Sequence, residues 1–196
     1  MSKLRAAVFL LPLLMLAACT SPERPRYPDI TFGHLPPLRL DVASVEVVRA
    51  YTPTSMAPNI EQSFPTPPMQ AMERWVRDRL QAVGTSGVAT VTITDASATE
   101  SRLPRTDGIR GAFTTDQTER YTARVEMTVE ASRVDPDGAR RNGTAVAQAT
   151  RSRTAAEDAT MNQRETIWFE MTEAMMREFD AAMATEVQKN LGAFLR

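Results

Sequence analysis

Few residues in this chain are equipped for chemistry. It has one thiol, Cys19, and one imidazole, His34. A Ser-His-Asp arrangement would have to use His34, and its base must be held firmly by a third group. His34 stands in TSPERPRYPDITFGHLPP, residues 20–37, where five prolines in 18 residues forbid regular helix and disfavour a central strand. No second ligand-type residue lies near it at metal spacing. The carboxylate pairs Asp135/Asp137 and Glu157/Asp158 read as solvated charge at a turn and a strand end. Asp135-Pro136-Asp137-Gly138 has the opening of a calcium loop without its ligand-rich continuation. No glycine-rich phosphate loop occurs; Gly108 and Gly111 only flank a turn. No catalytic set and no metal site is expected, so the chain is not expected to be an enzyme. Cys19 differs from the rest because of what precedes it.

Met1–Arg5 carries two positive charges, Lys3 and Arg5, and AAVFLLPLLMLAA follows without a charge. A short basic head, an apolar run and small residues before a cut site make a secretory signal. The run is too short for a spanning helix, which needs about 20 residues, and Pro12 interrupts it. Its end, Leu16-Ala17-Ala18-Cys19, resembles the lipobox of bacterial lipoproteins. That resemblance implies diacylglycerol on the Cys19 thiol, cleavage before Cys19 and an acyl chain on the new amino end. Beyond those covalent chains no cofactor is expected. Each buried CH2 contributes about 0.8 kcal/mol, so several chains anchor firmly. In enteric lipoproteins an Asp just after the cysteine holds the protein in the inner membrane. Thr20 and Ser21 stand here instead, which implies the outer membrane, on its periplasmic face.

The expected organisation is therefore a signal peptide over residues 1–18, a lipidated cysteine with a proline-rich tether over 19–37, and one domain over 38–196. In polyproline form the tether would reach roughly 50 Å, at about 3.1 Å per residue. Loss of Lys3 and Arg5 with the signal leaves 21 basic residues against 24 acidic ones, moving the net charge from −1 to −3. That balance argues against nucleic acid as a partner.

Within the domain the apolar pattern predicts the elements. Leu38–Tyr51 reads as a strand whose alternation slips, predicting a bulge near Ala43-Ser44. Thr52–Pro68 is a proline-rich crossover. Pro68–Val83 reads as a helix capped by Thr66 and ended by Gly84, with Met69, Met72, Val76, Leu80 and Val83 on one stripe. Strands follow at Val88–Leu103, Gly111–Val134 and Thr144–Thr154, the last two joined as an antiparallel hairpin through Asp135–Gly138. Thr160–Leu195 is a long helical pattern. Two helices on one face of a four-stranded, largely antiparallel sheet give an α+β, two-layer sandwich of order βαβββα.

The lipobox, the tether and this element order together resemble small envelope lipoproteins. These are the lipoprotein of the lipopolysaccharide-assembly translocon, the auxiliary lipoproteins of lipid-transport ABC systems, and an enteric family with the same order. The resemblance implies a non-enzymatic accessory subunit of an envelope complex, held to a membrane and docked to a protein partner. The polar sheet face, with Thr92, Arg124, Glu126 and Thr128, is the candidate docking surface. The alternative is a direct lipid-binding module that uses the Met-rich helices, with Met171 and Met175 at its centre, because Met-rich surfaces adapt to varied partners.

Overall fold

The computed structural model describes residues 26–104 and 117–196. The signal sequence, Cys19, the first part of the tether and residues 111–116 of the expected third long strand lie outside the described residues. The fold is α+β: strands β1 (Leu38–Leu40) and β2 (Ser44–Arg49), helix α1 (Pro68–Arg79), strands β3 (Leu80–Ala82), β4 (Val88–Arg102), β5 (Gln117–Val134) and β6 (Arg140–Ala156), and helix α2 (Met161–Asn190). The main sheet has the order β2-β4-β5-β6, and β1 and β3 make a second, two-stranded sheet.

Period-two patterning builds the main sheet. Ala89, Val91 and Ile93 of β4, the odd-numbered residues Tyr121 to Val129 of β5, and Ala145, Ala147 and Ala149 of β6 are all buried. Both β4–β5 and β5–β6 pair antiparallel, the latter as the expected hairpin. At its turn Gly138 has φ 86°, a left-handed conformation that favours glycine. β2 pairs parallel to β4, because the chain crosses through α1 before returning. Small alanines on β6 let α2 lie close: a Cβ on Gly143 would stand 2.7 Å from Leu191 Cδ2 and 2.9 Å from the Asn190 carbonyl oxygen.

The core lies between this face and the two helices. α1 begins at Pro68, whose fixed φ suits a first helical position, but its N-cap is Pro67 and no side chain caps it. Thr66, the expected cap, instead accepts a bond from Thr172 Oγ1 at its carbonyl. α2 opens with a reciprocal capping box, Thr160 and Gln163 each bonding the other's backbone N–H. It ends at Asn190, short of the expected Leu195. Gly192–Phe194 then turns as a 3-10 helix and buries Phe194.

Three expectations are corrected. The slip in Leu38–Tyr51 marks a change of sheet, not a bulge: β1 stops at Leu40, Val42 is buried, and β2 joins the other sheet. A register shift does occur, but in β4 between Ile93 and Asp95. The first helix stops at Arg79 rather than Val83, because Leu80–Ala82 extends and pairs parallel with Leu38–Leu40. The open backbone groups of β1 win over one more helical turn. Gly84 does not cap the helix. It allows close approach, since a Cβ there would sit 2.5 Å from Asp41 Oδ1 and 2.7 Å from Val42 N.

The tether expected over residues 19–37 is the third. From Tyr27 onward the chain is docked on the domain. Tyr27 stacks on Phe169 at 5.0 Å, Phe32 N donates to Asp78 Oδ2 at 2.8 Å, and Phe32 is buried. Arg79 bonds the Pro36 carbonyl. The prolines do keep this segment irregular, but its apolar side chains find slots on the helices, a match no periodicity reports.

Candidate partner-binding face

The strands place Thr92, Arg124, Glu126 and Thr128 on one patch of the sheet face opposite the helices. Thr92 lies directly across from Thr128, and Glu126 from Gln148. The pairing registers continue the Thr92–Thr128 row outward to Val48 on β2 and Val146 on β6. These two valines are 46% and 47% exposed, so a threonine-centred row ends in apolar side chains at both edges. One row further along the strands, the β4 shift brings Asp95 opposite Glu126.

Arg124 stands one row beyond, between Ser97 and Thr150, and its guanidinium reaches back to that row. Its Nε lies 3.1 Å from Asp95 Oδ2, and its NH2 donates to Glu126 and to Gln148 Oε1. The bond with Glu126 raises the guanidinium pKa above its ordinary value, with Asp95 assisting. Further along, Thr122 and Ser152 share a hydroxyl hydrogen bond of 2.9 Å. The four expected residues are thus brought together. Val48, Val146, Asp95 and Gln148 belong with them and were not anticipated. Alternation within a strand finds a face, whereas membership of a row needs the register between strands, and Asp95 reaches its row only through the shift.

The other expected residues fall elsewhere. Met171 and Met175 are 1% and 0% exposed, packed in the core, and form no open groove. A lipid tail would reach them only by parting α2 from the sheet. His34 lines a hollow of about 520 Å³ between the docked N-terminal segment and α2, with Phe169, Glu173 and Arg177. Asp135 is engaged by Arg133 and Arg141, and the bond from Arg141, helped by Arg133 and opposed by burial, holds its carboxyl below the usual range. Asp137 accepts from Ala139 N at 3.0 Å within the turn. Another charged cluster, Glu119 with Tyr121 and Arg164, joins β5 to α2. Burial, then Glu100, pushes the Tyr121 hydroxyl up to about 12. Among the described residues no group of three His, Cys, Asp or Glu side chains could hold a metal ion, and no helix is long and apolar enough to cross a membrane.

Compared with known proteins, the chain matches no family model and no curated protein. What the face does is therefore argued from its own chemistry. It holds hydroxyls, a charge cluster paired within its own plane and two exposed valines.

Proposed function

We propose that this chain is a bacterial lipoprotein, anchored through acylated Cys19, that serves without catalysis as a docking subunit of an envelope assembly. A lipid or lipopolysaccharide transporter is the class its sequence resembles, and the outer membrane is its proposed site. The observation that carries the docking reading is the bare sheet face. Both helices pack on one side, and the other side, four strands wide, carries no covering element among the described residues. Antiparallel sheets can leave a face in water, so bareness alone is not enough. The arrangement on it adds weight. Arg124 is already bonded to Asp95, Glu126 and Gln148, and a pre-ordered polar group costs less to bury against a partner. The Val48 and Val146 ends add apolar area. The lipid-binding alternative draws less support, because Met171 and Met175 are closed off.

The test is photocrosslinking in the producing cell, with reactive residues at Thr92 and Thr128 and a control at His34. A discrete envelope-protein adduct at both face positions and none at the control is the expected result. Absence of any adduct at the face would remove the docking reading.

A further inference from the structure

The two sides of the main sheet are finished differently. β4 is lined first by β2, along Val88–Ile93, and then by the crossover loop, where Ile60 N donates to the Ala98 carbonyl at 2.8 Å and Glu100 N to the Pro58 carbonyl at 2.9 Å. β6 is paired with β5 on one side only. Among the described residues, the outward backbone groups of Arg140–Ala155 bond to no other backbone. The end of α2 and the residue after it lie over the inner face of β6 at Gly143, not along its edge. The register with β5 is unbroken from Arg140 to Ala155, and the strand contains no proline. An unpaired row of this length is a template for a further strand.

The charges along β6 restrict what that strand can be. Asn142–Thr150 is uncharged, and arginines stand at both ends: Arg140 and Arg141, then Arg151 and Arg153. Arg141 is paired with Asp135 and Arg151 with Glu178. Arg140 and Arg153 have no ion-pair partner among the described residues. A second copy, set so that the two uncharged centres match, is the poorer occupant. Antiparallel self-pairing centred on Val146 sets Arg141 of each copy opposite Arg151 of the other, and like charges directly opposite destabilise a ladder.

We propose that β6 receives an extended segment of the protein partner as a fifth strand, with an uncharged centre bracketed by acidic side chains that meet Arg140 and Arg153. The two arginines are about 43 Å apart along the strand, at about 3.3 Å per residue. This deepens the docking reading above and rests on it. Main-chain pairing supplies affinity, and the acidic brackets select the segment and fix its register.

The test uses the full chain as bait for a phage-displayed library of random 15-residue peptides, beside an Arg140→Glu/Arg153→Glu variant whose fold is checked by circular dichroism. Enriched peptides should carry Asp or Glu toward both ends of an uncharged, β-branched centre. The synthetic peptide should slow amide exchange across residues 142–150. Its affinity should fall about tenfold on the charge-reversed variant, which should itself select basic ends. No enrichment, or enrichment indifferent to the reversal, overturns the proposal. So does a bound peptide that leaves exchange at 142–150 unchanged. If that peptide crosslinks at Thr92 and Thr128 instead, the docking face stands and the edge does not. A photoreactive residue at Gln148 that joins two copies of the chain would also overturn it, in favour of self-pairing.

Discussion

Glu61 shows how one carboxylate fixes an otherwise irregular loop. It is 1% exposed and accepts from Tyr51 OH at 2.7 Å, Thr54 N at 2.9 Å, Asn59 Nδ2 at 3.2 Å and Ala98 N at 3.4 Å. Burial works to raise its pKa, but the bonds from Thr54 N and Tyr51 outweigh it and hold the carboxyl below its ordinary value. The sign follows from proton uptake. The unfolded chain binds the proton more readily, so the stabilisation is present in full above the unfolded value of 4.5 and is lost as pH falls through the lower folded value. Glu61→Gln should cost about 1–3 kcal/mol at neutral pH, since it leaves donors poorly matched in a closed site. Urea denaturation at neutral pH measures that loss. Repeated on the acid side of 4.5, it should show a flatter pH dependence in the variant than in the parent. An equal slope in both would remove the assignment. Arg79 has a similar joining role, bonding Asp180 of α2 at 2.7 Å and the Pro36 carbonyl of the docked segment.

Among the elements, the small sheet at the base was the least legible. β4, β5 and β6 run 15, 18 and 17 residues, long enough for alternation to declare both element and face. Thr92, Arg124, Glu126 and Thr128 were found together for that reason. β1 and β3 have three residues each, too few to carry a period, and Leu80 continues the helical stripe of α1 equally well. What decides is a backbone partner far away in sequence. The same chain ends gather there: Leu40 bridges Leu195, Arg196 N donates to the Arg39 carbonyl, and Asp41 pairs with Arg133 and Arg196. Gly84 is the seam of this assembly. Gly84→Ala should destabilise by roughly 1–3 kcal/mol, because the new methyl meets backbone at Asp41 and Val42, which cannot swing aside as a side chain can. Thermal unfolding would record the drop, and an unchanged midpoint would show that the close approach is not required.

For the molecule as a whole, the proposed anchor and the folded domain are separable. Cys19→Ser should move the protein from the membrane fraction to the soluble one after signal cleavage, with the thermal midpoint of the domain unchanged. A variant that stays membrane-bound would place the attachment elsewhere. The docking of Tyr27 also sets a leash. With Cys19 acylated, eight peptide units separate the lipid from Tyr27, a span of at most about 28 Å. Tyr27 bonds Thr166 in the early turns of α2, near the Ala156 end of β6. From there to Arg140 the strand runs about 53 Å at about 3.3 Å per residue. The leash is shorter than the body, so the domain cannot invert to stand on its Asp135–Gly138 turn. β6 would then keep a fixed polarity relative to the bilayer, its Ala156 end nearer the lipid, and a strand arriving from the partner would read it in one sense only.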